Sequence, residues 1–258
     1  MKAMLLAAGK GTRLYPLTAS LPKPMLPVGG KPILEHNLAL LARHGFTDVV
    51  INLHYWPEVI TGHFGDGSRW GVNITYSFER ELLGTAGAVK NVESRFQETF
   101  LVMYGDNLSR CDLTELWEYH RFPGRGVQLN APTRKTMDHR RKGGIGTVTV
   151  FEIDDPIHSG LVDVAEDGRI RRFVEKPSSA EIFGNTVNAG IYVLEPRVLG
   201  YIPAGAFCDF ARDVFPRLLN EGEALYAYHT EEPVAGLDTG EMYQRAVAAV
   251  NEGRFVLP

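Results

Sequence analysis

The sequence predicts an α/β fold built on a largely parallel sheet. Short apolar runs that read as buried strands alternate with helical segments through the first half. The first run, residues 3–8, leads straight into the glycine-rich Gly9-Lys10-Gly11-Thr12. The 258 residues, 44% hydrophobic and 22% charged, are enough to bury a sizeable core without staples.

The elements follow in order. After the first strand, Pro22, Pro24 and Pro27 are expected to hold the chain extended. Pro32 opens a helix with the apolar stripe Leu34, Leu38 and Leu41, and Gly45 stops it. Residues 48–53 read as a buried strand, 72–78 as another, and 85–92 as a helix of small residues. Residues 100–104 form the next strand and end at Gly105-Asp106-Asn107. Asp112 with Glu115 has the spacing of a capping box for a helix through His120.

The second half is richer in strands, at 145–153, 161–164, 169–174, 187–194 and 225–229. Helices are expected at 209–220 and 241–252. The chain is read as one domain, 1–258. Residues 1–120 are read as a first half of alternating strands and helices, 121–142 as a basic insertion, and 143–258 as a strand-rich second half. The insertion carries Arg121, Arg125, Arg134, Lys135, Arg140, Arg141 and Lys142 against one acid, Asp138. A solvated loop, a lid over an anionic substrate and a homo-oligomer contact all fit that composition.

Composition also excludes functions. The net charge of −4 argues against a nucleic-acid or anionic-membrane partner. No apolar run approaches a membrane span, so a cytoplasmic location is expected. Cys111 and Cys208 have neither metal nor redox spacing, and the eight histidines show no zinc pattern.

Chemistry concentrates near the N-terminus. A strand feeding Gly9-Lys10-Gly11-Thr12-Arg13 exposes backbone N–H groups to phosphate oxygens, and Arg13 adds a cation. Leu14 stands where a dinucleotide fingerprint needs its third glycine, which argues against a nicotinamide oxidoreductase. Pro22-Lys23-Pro24 fixes a second cation close by.

Leu6-Ala7-Ala8-Gly9-Lys10-Gly11-Thr12-Arg13-Leu14 followed by Pro22-Lys23-Pro24-Met25-Leu26-Pro27 resembles the signature of the sugar-1-phosphate nucleotidyltransferases. Further matches keep the family order: Leu83-Gly84-Thr85-Ala86-Gly87, Tyr104-Gly105-Asp106-Asn107, Val174-Glu175-Lys176-Pro177, Asn188-Ala189-Gly190 and Leu237-Asp238-Thr239-Gly240. The resemblance implies a Rossmann-like three-layer α/β/α sandwich with a mixed, mostly parallel sheet and strand-rich sugar-binding elements. It implies an enzyme that transfers a nucleoside monophosphate from an NTP to a sugar 1-phosphate and releases pyrophosphate with Mg²⁺.

Such chemistry joins two polyanions by in-line attack, so it requires cations and positioning, and no protein nucleophile. By resemblance Arg13, Lys23 and Asp106 are catalytic, and Asp106 and Asp238 hold the metal. Ala8, Gly9, Gly11, Thr12, Arg13, Lys23, Glu79, Gly84 and Asp106 bind the nucleotide. Asn107, Gly160, Glu175, Lys176 and Asn188 bind the sugar phosphate. Ser159 and Gly236 depart from the tyrosine and tryptophan common at those positions.

Glu79 lies where the family places the base-facing side chain. One carboxylate can accept both guanine donors, N1–H and the 2-amino group, whereas uracil and thymine suit an amide better. GTP and mannose 1-phosphate are therefore the favoured substrates. Glu81 in the same role, or Glu79 as a plain strand-end residue, stays open. The alternatives are a thymidylyl- or uridylyltransferase acting on another sugar 1-phosphate, such as glucose 1-phosphate, and a catalytically silent sensor of sugar nucleotides.

Overall fold

The computed structural model describes residues 1–122 and 144–257. The basic segment 121–142 therefore lies outside the described residues, apart from Arg121 and Phe122.

The strands, in chain order, are β1 Lys2–Leu6, β2 Pro27–Val28, β3 Lys31–Pro32, β4 Asp48–Leu53, β5 Asn73–Phe78, β6 Phe100–Tyr104 and β7 Leu108–Ser109. They continue as β8 Gly146–Glu152, β9 Gly160–Val164, β10 Ile170–Glu175, β11 Thr186–Leu194, β12 Leu225–His229 and β13 Val234–Ala235. The helices are α1 Ile33–Arg43, α2 Pro57–Phe64, α3 Gly84–Asn91, α4 Leu113–Arg121, α5 Phe215–Asn220 and α6 Gly240–Asn251.

One nine-stranded mixed sheet joins both halves, along β10-β9-β11-β6-β1-β4-β5, with β8 paired to β11 and β12 paired to β8 off that path. Strands β6, β1, β4 and β5 are mutually parallel, as are β8 and β12. Strand β11 joins β6 antiparallel and brings in the second half. The path runs outward from β1 through β4 to β5, then returns to place β6 on the other side of β1. The crevice between the C-terminal ends of β1 and β6 is thus the topological switch point of the parallel sheet, where such folds place ligands.

The period-2 alternation of the strands makes three layers. Met4 and Leu6 of β1 face one core with Ala86 and Val89 of α3 and Phe215 of α5. Ala3 and Leu5 face the other with Leu34, Leu38 and Leu41 of α1, Ile60 of α2 and Leu116 of α4. A third, smaller core gathers Leu14, Leu26, Leu108 and Leu237 against Tyr243 and Ala246 of α6. Each of those four leucines stands within three residues of one of Arg13, Lys23, Asp106 and Asp238. Apolar anchoring therefore sets where the charged groups point.

Three local expectations need correction. Lys23–Met25 is a 3₁₀ turn, and only its flanks at Pro22 and Leu26 are extended. The fixed φ of Pro24 suits such a turn as well as it suits extended chain. Asp112 caps α4 by accepting from the N–H groups of Thr114 and Glu115 at 2.9 Å. The Glu115 carboxylate does not complete the box, because it accepts from the Tyr228 hydroxyl at 2.8 Å. The helix expected at 209–220 opens as a π-helical turn, Phe210–Val214, and becomes α-helical only over α5. Pro216, which cannot donate, follows the widened turn. Helix α2, the β2–β3 hairpin and the β7–β13 ladder were not anticipated, being short and without strong periodicity.

Helix α4 is pinned to the sheet by His120, which is 2% exposed. Its Nδ1 meets the Thr147 hydroxyl at 2.9 Å and its Nε2 meets Glu195 at 3.0 Å. Burial lowers its pKa, outweighing the carboxylate of Glu195. Burial likewise lowers those of His44 and His229. Below about pH 6.5 the unfolded chain binds protons at these histidines that the fold resists. Stability should therefore fall as the pH drops from about 6.5. Urea midpoints measured between pH 7.5 and 5.5 test this, and His120→Gln should flatten part of the slope. An equal slope in the variant would remove His120 from the account.

Candidate active site

The parallel strands deliver the site from their C-terminal ends. Strand β1 runs into Ala7-Ala8-Gly9, β5 into Glu79, and β6 into Gly105-Asp106. Ala8, Gly9, Glu79, Gly84 and Asp106, five of the expected nucleotide-binding residues, line one cavity of about 250 Å³. Leu6, Pro24, Asn52, Leu82, Thr85, Tyr104, Phe207 and Asp209 complete its wall.

Beside the cavity four charges meet. The Lys23 ammonium donates to Asp106 Oδ2 and to Asp238 Oδ1, each at 2.7 Å. Arg13 approaches the same Asp238 oxygen at 3.3 Å. The side chain of Lys23 is only 5% exposed, whereas the two aspartates remain about a third exposed, at 30% and 35%. Burial by itself would lower the Lys23 pKa, but the two carboxylates outweigh it and hold the ammonium above its ordinary value. Burial would raise Asp238, and Lys23, Arg13 and Lys176 overcome it, so the carboxyl sits below its ordinary value.

Local folding explains the convergence. Gly11 has φ +62, and a side chain there would meet the Cβ of Lys23 at 2.8 Å. The glycine turn can therefore lie directly on the Lys23 stem. Thr18 fixes it by donating to the Gly11 carbonyl at 2.9 Å. Asp106 and Asp238 are far apart in sequence, but the β7–β13 ladder pairs Leu108 with Ala235 and brings them together.

Two carboxylates on one cation form a hard, all-oxygen donor set. Among the described residues no group of three or more His, Cys, Asp or Glu is arranged to hold a metal. A two-carboxylate set fits Mg²⁺, which keeps waters and takes remaining ligands from substrate phosphates. The residues present fit that ion.

The expected sugar side is partly assembled. Gly160 and Glu175 are direct partners in the β9–β10 pair. Burial raises the Glu175 pKa, and Asp209 raises it further, against Lys176 and Arg212. Asn188 lies on β11 with its amide engaged locally, donating to the Tyr192 hydroxyl at 2.8 Å and accepting from Gly190 N–H at 2.9 Å. The Asn107 carbonyl accepts from Asn37 at 2.9 Å. Thr12 is exposed at the start of a short 3₁₀ turn and is absent from the cavity wall.

Glu79 is only 7% exposed, and both its oxygens are engaged. One accepts from Asn52 Nδ2 at 2.7 Å and the other from Leu83 N–H at 3.0 Å. Asn52, Phe207 and Asp209 were missed by sequence reasoning. An amide inside the apolar run of β4 was a readable signal for Asn52. Phe207, 58% exposed at the cavity, had none.

Residues 2–244 match the family model described as nucleotidyl transferase. The chain belongs to the nucleotidyl transferase family. It is 37% identical over 264 residues to the UTP–glucose-1-phosphate uridylyltransferase of Synechocystis sp., covering 97% of this chain and 63% of that protein. It is 36% identical over 253 residues to the mannose-1-phosphate guanylyltransferase of Mycobacterium tuberculosis, covering 97% and 65%. The chain thus spans less than two thirds of the length of these family members. A Bacillus anthracis structure, named as a glucose-1-phosphate thymidylyltransferase and solved with sucrose, superposes with a TM-score of 0.81 at 25% identity, covering 98% of this chain and 96% of that one. HddC from Yersinia pseudotuberculosis, solved with GMP-PN, shares the fold with a TM-score of 0.75 at 24% identity, covering 96% and 99%. The family's three-layer α/β architecture and mixed, mostly parallel sheet are those of this chain. No described helix is long and apolar enough to cross a membrane.

Proposed function

We propose that this chain transfers a nucleoside monophosphate from an NTP to a sugar 1-phosphate, releasing pyrophosphate, with GTP and mannose 1-phosphate as the favoured pair. The observation that carries the reading is the meeting of Lys23, Arg13, Asp106 and Asp238 beside a cavity at the switch point of the sheet. The first half serves the nucleotide and the second the sugar, and the chain acts in the cytoplasm.

The roles are those the resemblance implies, and position supports them. N–H groups of the turn at Gly9 and Gly11 face the triphosphate, and Arg13, half exposed, neutralises its outer charge. Lys23, held rigid by two carboxylates, sits where charge grows on the bridging oxygen, and its preorganisation lowers the barrier. Asp106 and Asp238 would hold Mg²⁺, which would supply positive charge against the repulsion of the two phosphates. Lys176, whose charge helps to lower the Asp238 pKa, meets the sugar phosphate, and Glu175, paired with Gly160, meets the sugar hydroxyls.

Glu79 favours guanine. Its two internal donors take one site on each oxygen, which leaves one on each for the paired N–H groups of the base. The Synechocystis relative supports a second reading, uridylyl transfer to glucose 1-phosphate. A matrix of NTPs against sugar 1-phosphates, scored by pyrophosphate release, tests both. The expected maximum is GTP with mannose 1-phosphate. A maximum at UTP or dTTP overturns the base reading, and silence across the matrix overturns the activity.

A further inference from the structure

We propose that Asn52 is a positioning residue that aims Glu79 at the nucleobase and ties that aim to the phosphate-binding turn. The inference rests on Glu79 as the base reader, proposed above.

Asn52 is 3% exposed on β4, within the otherwise apolar run 49–53, and reaches the cavity wall. Its Oδ1 accepts from Ala7 N–H at 2.9 Å, and its Nδ2 donates to Glu79 Oε1 at 2.7 Å. The orientation of the amide follows from its partners. Ala7 N–H can only donate, so the amide oxygen must face it, which leaves the NH₂ for the carboxylate. No other side chain of this size supplies both. Leucine supplies neither and strands a buried N–H, while aspartate accepts from Ala7 but repels Glu79.

The rest of Glu79 is equally constrained. Its backbone N–H donates to the Leu53 carbonyl at 2.8 Å, and its carbonyl meets His54 Nδ1 at 2.9 Å. The side chain is then fixed between Asn52 and Leu83 N–H, so its remaining acceptor sites hold one direction. Ala7 is the last residue before Ala8-Gly9 of the turn. One amide therefore sets the spacing between the base reader and the turn that holds the phosphates.

The test compares kcat/KM for GTP and UTP, with the sugar 1-phosphate saturating, in the wild type, Glu79→Gln, Asn52→Leu, Asn52→Asp and the Asn52→Leu/Glu79→Gln double variant. Glu79→Gln should erode the GTP preference about tenfold or more, and Asn52→Leu should erode it comparably. The double variant should be no worse than Glu79→Gln alone, because both remove one function. For Asn52→Leu, KM for the NTP should rise more than kcat falls. In Asn52→Asp the preference should recover as the pH is lowered and a shared proton bridges the two carboxyls. Erosion by Glu79→Gln with full preference in both Asn52 variants overturns the positioning role alone. An unchanged preference in Glu79→Gln overturns the base reading and the positioning role with it. Should Asn52→Leu fail to fold, the pH response of Asn52→Asp decides.

Discussion

Lys23→Met is expected to reduce pyrophosphate release by about three orders of magnitude or more, and to make the protein's melting temperature depend on Mg²⁺. Lys23 is the only cation within 3 Å of both Asp106 and Asp238 among the described ion pairs. Losing a preorganised donor at a developing charge typically costs 10²–10³-fold, roughly 2.7–4 kcal/mol. A buried cation that also neutralises two carboxylates should sit at or beyond the upper end. Breaking a fully buried pair costs about 3–5 kcal/mol, and the exposure of the two aspartates discounts that figure here. Without Lys23 the two carboxylates repel each other, so a divalent cation should raise the melting temperature of Lys23→Met more than that of the wild type. Asp106→Asn and Asp238→Asn should lose turnover by several orders of magnitude but gain no such response. Near wild-type turnover in Asp106→Asn and Asp238→Asn would overturn the metal assignment. A melting temperature of Lys23→Met that ignores Mg²⁺ would overturn the shared-cation reading.

The second large effect belongs to Gly84→Ala. Gly84 has φ +73, where an L side chain costs about 1–2 kcal/mol. A methyl group there would also lie 2.5 Å from the Cys208 carbonyl oxygen. That oxygen cannot move freely, because it accepts from the N–H groups of Ala86 and Gly87, both at 3.0 Å. Cys208 N–H in turn donates to the Leu83 carbonyl at 2.9 Å, so the segment is clamped to the start of α3. Relief must come from shifting that segment and, with it, Phe207 and Asp209 on the cavity wall. At roughly 2–4 °C per kcal/mol for a domain of this size, the melting temperature should fall by at least ~2 °C. KM for the NTP should rise together with it. A variant that melts within a degree of the wild type with unchanged KM would show that the clamp has no consequence for the pocket.

Much of this protein was decided by the sequence alone. Strands β4, β6 and β12 carry local patterns strong enough to be read to the residue, because a buried parallel strand is a continuous apolar run between turn residues. The candidate site residues were singled out for a related reason: Gly-Lys-Gly-Thr-Arg and Pro-Lys-Pro are unusual local chemistry that phosphate binding would explain. Tertiary structure decided the rest. That Lys23 serves Asp106 and Asp238 at once depends on a two-residue ladder and a small core against α6, and neither leaves a periodic signal. That Glu79 is fixed by Asn52, 27 positions earlier, depends on the parallel register of β4 with β5. Local pattern reports which face of an element is buried. Which side chains then share a hydrogen bond is set by how the elements pack, and the chain encodes that only through the whole fold.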